Sequence, residues 1–273
     1  MVLLRPRVLL SPAILLYTLA TVGPFAWIAV LSLRTTSDIF ANPYGMPVPP
    51  HWEKYAEAWF GSNYDVYFGN SLLVVGGAVA ILTVVGAMAA HCLARYHFTG
   101  NRFCYFLIFS TLIFPPQLII IALYQILIRY GLFDTRIGLT LVYVSLNLPI
   151  TVYILEGFFR RIPGDLYDAA RIDGYSEMLV FWKISFPLAW PAISATIILN
   201  TITLWNEFLF AIVLISNDAR RTLPIGIVKF MGDQGNDVGM VATGLMISII
   251  PVVLIYVFFS EKLIQGITAG AVK

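Results

Sequence analysis

The segment NSLLVVGGAVAILTVVGAMAAHCL, residues 70–93, contains 24 residues and no Asp, Glu, Lys or Arg. A helix needs about 20 apolar residues to cross the hydrocarbon core of a bilayer. Hydrocarbon offers the backbone no hydrogen-bond partner, so a spanning segment must be a helix or part of a closed barrel. A run of this length without the two-residue alternation of a strand is typical of a helix. The segment therefore predicts a membrane-spanning helix.

Five further apolar stretches have the same character. They cover residues 10–33, 105–128, 138–158, 188–215 and 239–260. Of the 32 charged side chains, only Glu156 and Glu207 fall inside the six stretches. With 59% hydrophobic and 12% charged residues, the chain lacks the polar residues that would coat a soluble enzyme or a basic nucleic-acid-binding protein. The predicted fold class is all-α: a polytopic membrane protein with six transmembrane helices, forming a single transmembrane domain over residues 1–273.

The basic residues indicate how these helices are oriented. An even number of spans places both termini on one side of the membrane. With the termini inside, the inner segments carry ten Lys and Arg residues and the outer segments carry seven. Because basic residues favour the cytoplasmic side, both termini are predicted to be cytoplasmic. The first apolar run is longer than the core of a signal peptide, so it is predicted to be the first membrane helix.

The segment between the fourth and fifth stretches, residues 159–187, is too polar for the bilayer. From Arg160 it is RRIPGDLYDAARIDGYSEMLVFWKISFP. Pro163 suits the first turn of a helix, and Gly174 can end that helix with a positive φ. Ser176 is a plausible N-cap for a second helix, which Pro187 would stop near the membrane. We predict a helix–Gly–helix hairpin outside the hydrocarbon; from the residues alone, an ordinary solvated loop remains the alternative.

Spacing within this loop resembles a known signature. Asp168-Ala169-Ala170 is followed by three residues and Gly174, then by nine residues and Ile184, one residue, and Phe186-Pro187. This resembles the EAA motif of permease subunits of ABC importers, with Asp for Glu and Phe for Leu. The hairpin is then a cytoplasmic coupling loop. The resemblance implies that the ATPase-coupling residues are Asp168, Ala169, Ala170, Gly174, Ile184 and Pro187. Ala169 and Ala170 would be displayed, so that another surface can approach closely.

Two further segments resemble the carbohydrate-uptake branch of these permeases, the type of the smaller maltose-transporter permease. They are Trp205-Asn206-Glu207-Phe208 in the fifth stretch and the C-terminal segment 266–273. The resemblance implies a binding-protein-dependent inner-membrane component that imports a sugar or oligosaccharide, with sugar-like phosphodiesters or glycerol phosphate as the alternative cargo. It also implies a heterodimer with a second permease subunit, a cytoplasmic ABC ATPase dimer and an extracytoplasmic solute-binding protein. The tail 265–273 would reach toward the ATPases.

The chain has no phosphate-binding Gly-x-x-x-x-Gly-Lys-Ser/Thr motif. We therefore expect no enzyme activity and no cofactor in this chain, with ATP and Mg²⁺ bound by the partner ATPase. No pattern predicts a catalytic or metal site, since the spacing of His91, Cys92, His97 and Cys104 is not that of a zinc site. Membrane lipid is the expected surrounding, and nucleic acid is not an expected partner. The alternative function is a stand-alone secondary transporter driven by an ion gradient.

Glu207 is the one carboxylate deep in the fifth stretch, and an intramembrane charge is a functional candidate by default. With Asn206 and Trp205 it is predicted to lie on the translocation path or at a permease interface. A hydrogen bond from Glu207 to another helix is the structural alternative. Glu156 lies near the inner end of the fourth stretch, where either snorkelling or an ion pair with Arg160 explains it. Pro115-Pro116 predicts either a broken helix along the path or a packing kink.

Overall fold

The structure, a computed structural model, describes residues 7–232 and 237–271, with side chains described at residue 12, residues 14–232 and residues 237–259. All regular secondary structure in these residues is helical, which confirms the all-α prediction. The α-helices are α1 Arg7–Ser32, α2 Thr36–Ala41, α3 Glu53–Ala56, α4 Tyr64–Arg95, α5 Asn101–Ser110, α6 Ile120–Arg129, α7 Arg136–Phe159, α8 Gly164–Ile172, α9 Glu177–Val180, α10 Phe186–Leu188, α11 Trp190–Trp205, α12 Leu209–Leu214, α13 Leu223–Gly226 and α14 Val238–Ala271. Short 3₁₀ or π turns extend several of them.

Among the described residues, four helices are long and apolar enough to cross a membrane. They are Ile14–Ser32, Tyr64–Arg95, Arg136–Phe159 and Val238–Phe259. Two helix pairs meet the same criteria only when each pair is taken together. These are Asn101–Ile113 with Pro116–Arg129, bent by 99°, and Glu177–Leu188 with Trp190–Trp205, bent by 76°. The described residues thus hold four candidate spans, or up to six if each bent pair crosses the membrane once. The six membrane-spanning helices expected from the sequence remain a prediction.

The break in the third predicted span lies at its two prolines. Phe114 and Pro115 both have extended backbone, with ψ of 134° and 123°. Each precedes a proline, whose ring disfavours the helical conformation of the residue before it. Neither Pro115 nor Pro116 can donate a backbone hydrogen bond. The helix therefore stops and restarts here. The sequence predicted either a broken helix or a packing kink at Pro115-Pro116, and the structure has a broken helix.

The chain divides into two compact units, one with residues up to Asp65 and Ile225–Pro251, the other with Val66–Pro224 and the residues from Val252 on. In the first unit, the Thr243 hydroxyl donates to the Ser32 carbonyl over 3.0 Å. Buried Lys54 donates from Nζ to the Arg34 carbonyl over 2.7 Å, and Nζ lies 3.9 Å from Oδ1 of Asp237. Burial lowers the pKa of Lys54, against the opposing effect of Asp237. These contacts tie the end of α1 to the start of α14.

The core of the second unit lies where α4, α7 and α11 meet the loop 159–187. Small residues on α4, Ala87 and Ala90, are fully buried and let aromatic side chains approach the helix. From the loop, Tyr167 and Phe181 pack into this core, beside Phe159 at the end of α7. The predicted loop is therefore anchored on the helices at one end of this unit, and this anchoring positions the candidate site.

Candidate functional site

The first helix of the loop is α8, and its ends follow the local sequence. Pro163 has φ −55° and ψ 137°, so it precedes α8 as the N-cap. The sequence had instead predicted Pro163 in the first turn of the helix. Asp165 lies in the first turn and Arg171 in the last. Each charge is opposite in sign to the partial charge at its end of the helix, which stabilises α8 by a few tenths of a kcal/mol.

Gly174 forms the turn between the two helices. Its φ is +80°, the left-handed region that glycine adopts without steric cost. The Gly174 amide donates to the Arg171 carbonyl, and the Tyr175 amide donates to the Ala170 carbonyl, each over 3.0 Å. These two hydrogen bonds form a Schellman motif, which satisfies the last carbonyls of α8. The helix–Gly–helix geometry predicted from the sequence is present.

The second helix begins at the predicted cap but continues past the predicted stop. The Ser176 side chain accepts the Leu179 amide at 3.4 Å. A π turn then covers Phe181–Ser185, in which the Phe186 amide donates to the Phe181 carbonyl. The wider turn accommodates Pro187, which has no amide hydrogen to donate. The prediction that Pro187 stops the helix is wrong, because the helix bends only at Ala189.

One face of the hairpin is buried in the core of this unit. Tyr167, Ala170, Val180 and Phe181 are all buried. The predicted display of both alanines is therefore wrong for Ala170, which packs against the chain itself. The two buried residues of α8, Tyr167 and Ala170, are three positions apart and lie on one face of the helix, whereas Leu166 is exposed. An aromatic ring buries more apolar area than a leucine, so Tyr167 takes the inward position.

The remaining predicted coupling residues lie at different depths in the hairpin. Asp168 and Ala169 are exposed on α8, and Gly174 is exposed at the turn. Ile184 is partly buried against the core, and Pro187 is exposed. Beside Asp168 the hairpin exposes Ile172, 87% accessible, together with Met178 and Leu179. We call Asp168, Ala169, Ile172, Met178 and Leu179 the exposed hairpin surface; it combines one carboxylate with exposed apolar side chains, and the exposed Arg171 and Glu177 lie beside it.

A series of polar contacts connects Asp168 on α8 to Tyr96, the residue that follows α4. The Tyr96 hydroxyl donates to Oε2 of Glu177 over 2.5 Å. The other oxygen of Glu177 accepts Nη2 of Arg171 at 3.0 Å. Nη1 of Arg171 then lies 3.5 Å from Oδ1 of Asp168. The Tyr96 hydrogen bond, followed by Arg171, lowers the pKa of Glu177, while burial and the Glu177 carboxylate raise the pKa of Tyr96.

We predict that Tyr96→Phe loosens the hairpin without unfolding it. The variant removes the hydroxyl that holds Glu177, and the pair is half-exposed, so the loss is at most about 1 kcal/mol, or about fivefold in local opening. Amide hydrogen exchange across residues 172–178 should measure this. Tyr175→Phe is the matched control, since the described chain gives its hydroxyl no partner. The folded-state pKa of Glu177 is lowered, so the difference from wild type should vanish as the pH falls through that pKa. Equal exchange in both variants at neutral pH would contradict the prediction.

Arg95, the last residue of α4, also contacts α8 and the segment before it. Its guanidinium lies 3.6 Å from the centroid of the Tyr167 ring, and Nη1 donates to the Ile162 carbonyl over 3.5 Å. Beside it, His91 is buried among Phe159, Tyr167 and Phe181. The sequence predicts only a tight turn at residues 94–104. No local pattern marks Arg95 or Tyr96 as contacts of the hairpin, because their partners lie about 70–80 residues away along the chain.

Glu207 lies elsewhere in the same unit, at the break between α11 and α12. Its Oε1 accepts the Phe210 amide at 2.8 Å, and its Oε2 accepts the Ala211 amide at 3.0 Å. Oε2 also accepts the Tyr143 hydroxyl at 2.8 Å. The carboxylate thus caps α12 and binds α7, so the hydrogen bond to another helix is present. Carboxylates at a helix N-terminus are favoured by the unpaired amides there.

The two residues before Glu207 differ in burial and in the contacts that they make. Trp205 is buried and packs edge-on against Phe68, with ring centroids 5.6 Å apart. Asn206 is exposed and donates to the Ile202 carbonyl over 2.8 Å. The location of these three residues on a translocation path or interface stays a prediction.

Two other predictions from the sequence concern charged or terminal residues. The predicted ion pair between Glu156 and Arg160 is confirmed. The predicted tail 265–273 continues α14 as far as Ala271. Its side chains, and all of residues 272–273, lie outside the described residues.

The chain is similar in sequence to permease proteins of saccharide uptake systems and in structure to a chain of an ABC transporter. The diacetylchitobiose uptake system permease protein NgcG of Streptomyces coelicolor is 34% identical over 95% of this chain and 87% of its own length. The trehalose transport system permease protein SugB of Mycobacterium tuberculosis is 34% identical over 92% of each chain. A bacterial ABC transporter involved in the import of the acidic polysaccharide alginate has a chain with a TM-score of 0.80 and 21% identity, covering 96% of this chain and 98% of that one. The latter likeness shows a shared fold.

Residues 82–267, which include the whole hairpin and the Glu207 region, match one protein family. The match covers well over half of the 273 residues. This chain therefore belongs to the family of binding-protein-dependent transport system inner membrane components.

Proposed function

We propose that this chain is the permease subunit of an ATP-driven ABC importer that carries a sugar or oligosaccharide across a bacterial inner membrane. Membership of a binding-protein-dependent family argues against the alternative of a stand-alone secondary transporter. Two relatives at 34% identity are named for the uptake of diacetylchitobiose and trehalose. Both names describe saccharides, so a saccharide is the best supported class of cargo.

The observation that carries this proposal is the anchored hairpin with its exposed surface. Its inner face is buried in the core formed with α4, α7 and α11, so a force applied to the hairpin is transmitted to those helices. Its outer side presents Asp168 and the highly exposed Ile172. Exposed apolar side chains around a polar group are typical of a protein interaction site. In the proposed complex this surface binds a cytoplasmic ATPase.

The partners follow from what the chain itself lacks. It contains no phosphate-binding loop, so a separate ATPase dimer would bind ATP and Mg²⁺ and would supply the energy of transport. A second permease subunit completes the membrane path as a heterodimer, and an extracytoplasmic solute-binding protein delivers the cargo. Asp168 would make charge-assisted hydrogen bonds to the ATPase. Glu207 would hold the broken fifth helix in shape beside the path.

Reconstitution tests the proposed function. The four components are placed in proteoliposomes, and uptake of radiolabelled trehalose and diacetylchitobiose is measured with and without ATP. We expect ATP-dependent uptake of at least one saccharide that also requires the solute-binding protein. Uptake by this chain alone under an ion gradient would instead support the secondary transporter.

Ile172→Lys is expected to weaken retention of the ATPase about tenfold or more. Ile172 is 87% exposed, so the substitution leaves the fold of this chain intact, but it would bury an unpaired charge in the complex. Co-purification in mild detergent measures the retained ATPase. Tyr44→Lys is the control, since Tyr44 is 86% exposed and belongs to the predicted outer segment. Equal retention in both variants would rule out Ile172 as part of the interface.

The proposed orientation places the hairpin and both termini in the cytoplasm. In a variant with Cys92 and Cys104 replaced by alanine, Ile172→Cys supplies one highly exposed thiol. A membrane-impermeant maleimide should label it in inside-out vesicles and not in intact spheroplasts. Labelling in intact spheroplasts would place the hairpin outside the cell and would reject the orientation.

A further inference from the structure

A cavity of about 470 Å³ lies at the hairpin end of α7 and belongs to neither the hairpin surface nor the Glu207 cap. Its walls come from the unit that contains Val66–Pro224: Tyr105 on α5, five residues between Tyr153 and Phe158 on α7, and Ala192, Ala195 and Leu199 on α11. Cavities that bind small molecules span about 300–1,000 Å³. The volume is therefore sufficient for a ligand of one or two sugar rings.

Its polar lining is concentrated on α7. Glu156 is 4% exposed and forms an ion pair with Arg160, which offsets the cost of burying the carboxylate. Arg161 also lines the cavity. Tyr105 and Tyr153 also line the cavity; Phe109 contacts both rings edge-on, and within the described residues neither hydroxyl has a hydrogen-bond partner. A ligand with hydroxyl groups could satisfy both.

This combination suits a saccharide better than an anionic lipid headgroup. A sugar ring has apolar C–H faces that pack on aromatic rings, and hydroxyls at its edge that donate to a carboxylate and accept from a phenol. A phosphate would meet the Glu156 carboxylate, whose like charge repels it. Arg160 is already engaged by Glu156, and the N–H groups of Arg161, the cation among the lining residues, can donate to sugar hydroxyls as well as to a phosphate.

We propose that this cavity is a saccharide-binding subsite at the cytosolic end of the permease, which the cargo occupies on its way out. Residues 153–158 directly precede the hairpin, so the cavity is cytosolic if the hairpin is. The inference rests on the proposed function and adds to it a site in this chain. The aromatic rings of Tyr105 and Tyr153 pack on the faces of the sugar rings, and the Glu156 carboxylate accepts hydrogen bonds from sugar hydroxyls.

The test uses the complete transporter in nanodiscs of zwitterionic lipid, without nucleotide and without the solute-binding protein. Trehalose and diacetylchitobiose are titrated, and binding is followed by calorimetry and by saturation-transfer NMR. We expect Tyr153→Ala and Glu156→Gln each to raise Kd about tenfold. Tyr153→Phe keeps the ring and should raise Kd about threefold. Tyr256→Ala is the control, because Tyr256 is 60% exposed on α14 and Tyr153 is 53% exposed.

Each outcome decides for or against the subsite. ATP-dependent uptake by wild type, together with binding that neither substitution changes, would overturn the subsite and leave the proposed function standing. Absence of both uptake and binding for the two saccharides would overturn both proposals. Phosphatidylglycerol is then added to the wild-type nanodiscs. If the NMR experiment shows contact of this lipid with Tyr153 and no contact of either saccharide, the cavity is a lipid site, which would overturn the subsite alone.

Discussion

Gly174→Val is expected to reduce ATP-dependent saccharide uptake at least tenfold while ATP hydrolysis continues. Gly174 has φ +80°, and an L-residue in the left-handed region costs about 1–2 kcal/mol, more for a β-branched side chain. A Cβ at this position would meet no atom within 4 Å, so the whole effect comes from the backbone. The turn would open, and both hydrogen bonds of the Schellman motif would be lost. Hydrolysis would then no longer move the membrane helices.

Uptake and ATPase rates in the same proteoliposomes measure this uncoupling. Gly174→Asn should retain most of the uptake, because asparagine tolerates a positive φ better than other residues do. Gly76→Val controls for the added side chain, since Gly76 has ordinary backbone and a Cβ there would also meet nothing within 4 Å. Normal uptake by Gly174→Val would show that the hairpin turn does not transmit motion.

Glu207→Ala is expected to destabilise the chain by about 3 kcal/mol. The substitution removes three hydrogen bonds to a carboxylate and leaves two amides of α12 and the Tyr143 hydroxyl without that partner. Glu207→Gln retains one acceptor oxygen and should cost about 1 kcal/mol. The midpoint of thermal unfolding in detergent gives the ranking. Asn206→Ala is the neighbouring control, because Asn206 is exposed and its side chain donates to the Ile202 carbonyl within its own helix turn.

A double-mutant cycle with Tyr143→Phe separates the cap from the contact between helices. If the cap dominates, Glu207→Ala should remain destabilising in the Tyr143→Phe background. If Glu207→Ala leaves stability unchanged and abolishes saccharide binding, the carboxylate contacts cargo, and the capping role is secondary.

Local patterns predicted much of the hairpin. Gly174 could be recognised because a glycine that ends an amphipathic turn adopts positive φ, and Ser176 because its side chain caps the next helix. Both features depend on hydrogen bonds within five residues. The same reasoning failed at Pro187, where a π turn absorbs the missing amide, and at Ala170, where the choice of buried face depended on Tyr167.

The six apolar stretches, through the absence of charge, determined that the chain belongs in a membrane, and their length without two-residue alternation determined that it is helical, since only helices and closed barrels satisfy a backbone in hydrocarbon. The spacing from Asp168 to Pro187 determined where the hairpin lies. Only the tertiary structure decided that Tyr96 reaches Glu177, that Glu207 caps α12 while binding Tyr143, and that Tyr105 lines one cavity with Glu156. Such contacts join residues about 50–80 positions apart, and they exist because packed helices bring distant turns together, which periodicity along one segment does not encode.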